Sequence, residues 1–263
     1  MDLFDLRDLA GESPDVAIHW TRRFYSEVLR PSFDDDLLDD LADIEKGLLH
    51  PDVVSPELHV LVAAAGGECV AGGSLFEYYS WSNCGLSSYT VVLEPYRGEG
   101  LARRILDTRN QILDAARRRF GYHEEPCTLF AEIADAPGTR QQIQHKLGWR
   151  PLRFKYVQPP LSESKNPVEG LLLAVNGRQT LDRHTVQRFL IDYAASVDHT
   201  VLAWAERRLG IRLGDVRHAV GAPRQEACTL MQSILRENLP EYLTRQLLEL
   251  DTLELVQCGT FST

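Results

Sequence analysis

The sequence predicts a mixed α/β sheet with a mainly helical C-terminal appendage. Three observations predict it. Alternating or continuous apolar runs of strand length fill much of residues 58–175. A long amphipathic helix follows the third of them, so a strand–helix–strand unit from Leu86 to Ile133 places two strands parallel. From Leu181 onward the apolar positions repeat at helical spacing. We place the boundary near Asn176-Gly177, giving a mixed α/β domain at 1–177 and a mainly helical region at 178–263.

The elements follow in order. Ser13-Pro14-Asp15 opens a helix, with a cap candidate, Pro in the first turn and then an acid. Val16, Trp20, Phe24 and Val28 repeat every fourth residue and predict its buried stripe. A second helix is expected from about Asp36 to Leu49, striped by Leu38, Leu41 and Ile44. Leu58–Val62 reads as a strand, Gly66-Gly67 as a hairpin turn, and Cys69–Trp81 and Leu86–Leu93 as two more strands. Leu101–Phe120 is amphipathic through Ile105, Leu106, Ile112, Leu113 and Ala116, and Gly121 ends it. Then come a strand at Thr128–Ile133, a helix at Thr139–Leu147 closed by Gly148, and strands at Leu152–Val157 and Gly170–Val175. About Thr180–Leu250 reads as helical, and Leu253–Phe261 as a last strand.

Composition excludes several classes. The 263 residues are 44% hydrophobic and 25% charged, the balance of a globular chain with a core. Apolar stretches such as Val60–Ala65 and Leu171–Val175 are far short of the ~20 residues of a membrane span. The start, Met1-Asp2-Leu3-Phe4-Asp5, is acidic and has no basic leader region, so a cytoplasmic protein with no membrane partner is expected. Against 38 Asp+Glu stand 28 Lys+Arg, a net of −10, which argues against a nucleic-acid partner. Only four of the basic residues are Lys, an Arg bias expected of a GC-rich bacterial genome. Five widely spaced Cys with no CxxC pair argue against a disulfide framework or a zinc site, and no metal is expected.

The segment that carries chemistry is Tyr96-Arg97-Gly98-Glu99-Gly100-Leu101-Ala102, between a strand and an amphipathic helix. A P-loop would need GxxxxGK, and no Lys is present. A dinucleotide fingerprint would need a third small residue where Arg103 stands. What remains is R-x-x-G-x-A, from Arg97, Gly100 and Ala102. Unpaired amides at a helix N-terminus bind a pyrophosphate; Gly100 carries no side chain to hold the anion away, and Ala102 only a small one.

This segment resembles the acyl-CoA-binding motif of the GNAT acyltransferases, Gln/Arg-x-x-Gly-x-Gly/Ala. Lys146-Leu147-Gly148-Trp149 resembles the K-x-G-F segment that follows a later helix in that family. The resemblance covers about residues 1–177. It implies a mostly antiparallel sheet flanked by helices, with acetyl-CoA or another acyl-CoA as co-substrate. It places the diphosphate on Arg97, Gly98, Glu99, Gly100, Leu101, Ala102 and Arg103, and the pantetheine arm along Val91, Val92 and Leu93, beside a splay between that strand and the Thr128–Ile133 strand. An amine then attacks the thioester directly. The implied proton acceptors are strand acids, Glu77 or Glu132. Many family members carry a Tyr acid four residues before the Gly of K-x-G-F, where this chain has Gln144; Tyr156 and His145 are alternatives.

The expected activity is transfer of an acetyl or other short acyl group to a small-molecule amine. The acid run Asp34, Asp35, Asp36, Asp39, Asp40, Asp43 and Glu45 reads first as a solvated helix face with acids near its N-terminus; its functional reading is an electrostatic lure for a cationic acceptor. Two rival expectations are a non-catalytic acyl-CoA sensor or scaffold, motivated by Gln144, and a protein Lys or N-terminal acetyltransferase. The helical region could cover the acceptor, brace the sheet or support a homodimer. Tyr78, Tyr79, Trp81 and Tyr89 either line an acceptor pocket or pack a core.

Overall fold

The computed structural model describes residues 1–50, 56–134, 147–162, 165–177, 180–197, 207, 239–253 and 255–257. It is a mixed α/β protein with a mostly antiparallel sheet flanked by helices, and it divides into two compact units. The first holds Met1–Tyr78 and Gly85–Arg119; the second holds Tyr79–Cys84 and Phe120–Thr263.

The first unit begins with β1 (Asp2–Asp5) and α1 (Leu6–Glu12), two elements the sequence pattern did not reveal. Both are short, and α1 starts where the Asp5 side chain accepts from Arg7 N–H. Next come α2 (Pro14–Phe24), a π turn at Tyr25–Leu29, and α3 (Leu41–Leu49). The α2 stripe is not quite the expected one. Val16 is 46% exposed, and the buried line runs through Ala17, Thr21, Phe24 and Val28. Steps of four, three and four residues follow the 3.6-residue turn, whereas a strict step of four drifts off the face.

The helix expected from Asp36 to Leu49 is broken. A 3₁₀ turn covers Asp35–Leu37, and Leu38 and Asp40 are extended before α3 begins. Tyr89 holds the break open. Its hydroxyl accepts from Asp39 N–H at 2.9 Å and lies 2.8 Å from the Leu37 carbonyl. Leu38 stays 1% exposed without being helical, so its apolar spacing misled the helix assignment.

Strands β2 (Glu57–Ala65), β3 (Cys69–Tyr79) and β4 (Cys84–Val92) match the expected meander within a few residues. The order is β1-β2-β3-β4, with β1 and β3 antiparallel to β2. Gly66 and Gly67, both at positive φ, turn the β2–β3 hairpin as expected. The core gathers Leu6, Phe24, Val28, Ile44, Leu48, Val60, Val62 and Leu75 between the helices and the sheet. At Gly73 the packing leaves no room for a methyl group, which would sit 2.3 Å from the Leu61 carbonyl oxygen and 2.7 Å from the Phe24 ring. Gly73→Ala should therefore cost about 1–3 kcal/mol of stability in urea unfolding.

A charged cluster ties β1 to β2. His59, 4% exposed, pairs through Nδ1 with Asp5 at 2.7 Å and through Nε2 with Glu57 at 2.9 Å, and its ring stacks on Phe76. Glu57 also accepts from Arg119 and lies 3.9 Å from Arg7. Burial pushes the Glu57 carboxyl up, but hydrogen bonds from His59 and Arg119 outweigh it and hold it at about 2. Burial likewise pulls His59 down, and hydrogen bonds to Asp5 and Glu57 win, leaving the imidazole above its usual 6.5.

In the second unit, β5 (Thr128–Ala134), β9 (Leu171–Asn176) and β6 (Trp149–Pro151) lie in the order β5-β9-β6, with both neighbours antiparallel to β9. The strand expected at Leu152–Val157 is instead β6 followed, after an irregular stretch, by β7 (Val157–Gln158), which pairs with β8 (Val168–Glu169). The tip 79–84 is held by Thr128 N–H on the Asn83 carbonyl and Tyr122 Oη on the Ser80 carbonyl. Gly148, at positive φ, sits where the expected helix closes; the rest of that helix, 139–146, lies outside the described residues. Beyond Asn176, α5 (Arg183–Val197) and α6 (Glu241–Asp251) bear out the helical reading over the described residues, and β10 (Thr180–Asp182) pairs with β11 (Leu255–Gln257).

Candidate active site

Helix α4 (Leu101–Arg119) buries Leu101, Ile105, Arg109, Leu113 and Ala116, a four-residue line with one shift of phase. That line holds its N-terminus firmly while leaving the preceding loop in solvent. The loop itself is built by Pro95, which starts a single 3₁₀ turn at Glu94–Tyr96, and by two residues at positive φ, Gly98 (86°) and Gly100 (78°). A side chain other than hydrogen is strained at both.

The loop's backbone accounting is informative. Tyr96 N–H returns to the Leu93 carbonyl and Arg97 N–H to Glu94. The next backbone bond is Arg104 N–H to Gly100. Among the described residues, the amides of Gly98, Glu99, Gly100, Leu101, Ala102 and Arg103 donate to nothing. Six consecutive donors thus stand at the positive end of a 19-residue helix. An added Cβ at Gly98 or Gly100 would meet nothing within 4 Å, so the space before these amides is open. This donor set fits the diphosphate of an acyl-CoA.

The flanking residues separate into roles. Arg97 does not reach outward with all of its donors, because its Nε donates to the Val92 carbonyl at 2.9 Å and braces the strand end. Leu93 N–H donates to the Ala71 carbonyl at 3.0 Å, and Val91, Val92 and Leu93 are half-buried. Arg103 is 87% exposed, with only a loose 3.8 Å contact to Asp107. Arg104 reaches the Met1 carbonyl at 3.3 Å, where β1 and α4 border an open groove of about 570 Å³ lined also by Phe4, Asp107 and Thr108.

One of the expected acids lies in each unit. Glu77 on β3 is 8% exposed, and Ser88 Oγ donates to its Oε2 at 2.7 Å. The neighbouring Ser87 points to the other side of the strand, where its Oγ accepts from Arg109 Nη1 at 2.8 Å. Arg109 is 2% exposed, a buried cation that the apolar periodicity of α4 hid. In the second unit Glu132 and Tyr156 are brought together. The Tyr156 hydroxyl donates to Glu132 Oε1, Gln158 Nε2 donates to Oε2 at 2.8 Å, and Tyr193 Oη lies 3.4 Å from the same oxygen. Burial, reinforced by the Glu132 charge, pushes the Tyr156 phenol well above 10, so it remains a donor.

Gln144 and His145 lie outside the described residues. Tyr78, Tyr79, Trp81 and Tyr89 are all buried. Tyr89 is absorbed by the Leu37–Asp39 break, whereas Tyr79 joins Phe189 and Tyr193 in the second unit. Gln158, Tyr193 and Ser88 were missed because isolated polar residues in strands and helices carry no spacing signal. Among the described residues no helix is long and apolar enough to cross a membrane, and no cluster of three His, Cys, Asp or Glu could hold a metal.

Comparison with known proteins adds the following. The family model described as the acetyltransferase (GNAT) family matches residues 16–130. A Bacteroides thetaiotaomicron structure, described as a candidate acetyltransferase of the GNAT family, is 14% identical, covering 74% of this chain and 99% of its own, with a TM-score of 0.49. An acetyltransferase of the GNAT family from Staphylococcus aureus Mu50 is 11% identical, covering 66% of this chain and 97% of its own, with a TM-score of 0.40. No curated protein matches the chain. The matched segment contains most of α2, all of α3, the β2–β4 meander, the six-amide loop, α4 and the start of β5. Residues 16–130, somewhat under half of the chain, therefore carry the likeness to the acetyltransferase (GNAT) family.

Proposed function

We propose that this protein transfers an acetyl or other short acyl group from acyl-CoA to the amine of a small molecule. The observation that carries the reading is the run of six unpartnered amides from Gly98 to Arg103, inside a family-matched acetyltransferase segment. The diphosphate accepts from these amides. The pantetheine arm runs back along Val91, Val92 and Leu93. At ~3.4 Å per residue, four residues of strand from Val92 to Ser88 span about 14 Å. That distance brings an extended thioester arm to the level of Ser88 and its partner Glu77.

The chemistry then needs one proton acceptor. An alkylamine with a pKa near ~10.4 lies ~3.4 units above pH 7, so presenting it as neutral costs about 4–5 kcal/mol. We assign the acceptor to Glu77, in the same unit as the phosphate loop and oriented by Ser88. The neutral amine attacks the thioester carbonyl, the C–N bond forms, the C–S bond breaks, and CoA leaves as thiolate. The amine's proton passes to Glu77 directly or through water. Glu77→Gln should lower kcat by about 10²–10⁴-fold, with acetyl-CoA binding unchanged.

The test is incubation of the protein with acetyl-CoA and a panel of amines while free thiol is measured. Amine-dependent thiol release and an acetylated product support the reading. Acetyl-CoA binding without release on any amine supports the sensor instead. Acetylation confined to proteins from a cell extract moves the acceptor to Lys or N-terminal amines.

A further inference from the structure

We infer that Arg109 is a positioning residue: through Ser87 it fixes β4 against α4, so that Ser88 holds Glu77 at a set distance from the phosphate loop. The inference rests on the acyl-transfer reading, and every residue in it belongs to the first unit. The buried line of α4 is Leu101, Ile105, Arg109, Leu113 and Ala116, so a guanidinium stands where the helix otherwise packs apolar side chains. Arg109 is buried as completely as they are. Taking a cation out of water is costly, and a Leu or Met at this place would pack without that cost. Stability alone therefore does not call for Arg here. What Arg supplies is a planar fork of donors that holds its partners at fixed distances and angles.

The fork is used in that way. Nε and Nη2 both donate to Asn110 Oδ1, at 3.3 and 3.1 Å, which sets the plane of the guanidinium. Nη1 then donates to Ser87 Oγ at 2.8 Å, and Ser87 is itself buried. The next residue, Ser88, donates to Glu77 Oε2 at 2.7 Å. The one after, Tyr89, is tied to the Leu37–Asp39 break, and its carbonyl accepts from Ser74 Oγ on β3 at 2.8 Å. Three successive residues of β4 are thus held by three different elements, and the middle one orients the proposed proton acceptor. Helix α4 also carries the phosphate loop at its N-terminus. At ~1.5 Å per residue, the helix rises about 12 Å from Leu101 to Arg109. The diphosphate amides and the pin on β4 therefore sit on one rigid rod. A shift of about 1 Å in a reacting group costs on the order of 10²-fold in rate, which is what the pin prevents.

The test compares full-length wild type with Arg109→Met and Ser87→Ala, each alone and combined with Glu77→Gln. Thiol release from acetyl-CoA is measured with the amine of the panel that turns over fastest, and acetyl-CoA binding by calorimetry. Arg109→Met and Ser87→Ala should each lower kcat by about ten- to a hundredfold. The acetyl-CoA dissociation constant should change by less than about threefold, because the amides of the phosphate loop are untouched. In the Glu77→Gln background the same two changes should lower kcat by less than about twofold, since no acceptor is left to position. A packing defect would instead lower kcat by the same factor in both backgrounds. The inference is overturned if both variants keep the wild-type kcat, or if their losses multiply with that of Glu77→Gln. Ser87→Ala removes one oxygen atom and decides the matter even if Arg109→Met fails to fold. Wild type that releases no thiol with any amine sinks the transfer reading and the positioning role with it. Wild-type turnover matched by Ser87→Ala and Arg109→Met sinks the positioning role alone.

Discussion

Gly100→Trp is expected to abolish both acetyl-CoA binding and acyl transfer while leaving the protein folded. For the wild type, a ligand at a hundred times its dissociation constant stabilises by about 2.7 kcal/mol, roughly 5–10 °C in a chain of this size. The Trp variant should show no such shift. The reason is local. Gly100 sits at φ 78° in the middle of six free amides, and the direction in which a side chain would project is empty. An indole there occupies the anion's place without touching the core. The positive φ adds about 1–2 kcal/mol of strain, so the unliganded variant should melt a few degrees lower with unchanged circular dichroism. A ligand shift equal to that of the wild type would show that the loop does not hold the diphosphate.

Replacing His59 by Leu is expected to cost about 3–5 kcal/mol of stability, the largest loss from any single change considered, because it removes the group that bridges two carboxylates, Asp5 and Glu57, in a buried site. Urea unfolding across pH checks the account further. His59 is raised above 6.5 in the folded state, so its contribution is complete below pH 6.5 and is lost as pH rises through the folded value. Glu57 is lowered from 4.5 to about 2, a contribution of about 3 kcal/mol that is complete above pH 4.5 and lost as pH falls toward 2. Stability should therefore be level between about pH 4.5 and 6.5 and fall on both sides. In His59→Leu the alkaline fall should vanish. An alkaline slope identical to the wild type would mean that another group titrates there.

Much of the architecture was legible because it rests on repetition. The β2–β4 meander, α4, β5 and β9 follow from apolar periodicity with glycine punctuation, and their boundaries agree within a few residues; α5 and α6 follow from the same periodicity among the described residues beyond Asn176. The failures have physical causes. β1 and α1 are too short for a period to show, and their stability comes from pairing with β2 and from the Asp5 cap. The helix drawn across Leu38–Asp40 is broken by a tertiary contact with Tyr89, fifty residues away. The phosphate loop was readable because its glycine spacing is itself the mechanism. The polar partners were not: Ser88 beside Glu77, Arg109 beneath Ser87, and Gln158 beside Glu132 meet only once the chain folds.

The most direct measurement is a crystal structure of the protein with CoA. The account predicts diphosphate oxygens within hydrogen-bonding distance of backbone nitrogens between Gly98 and Arg103, with the arm lying along Val91, Val92 and Leu93. CoA bound elsewhere, with those nitrogens still facing solvent, would contradict it.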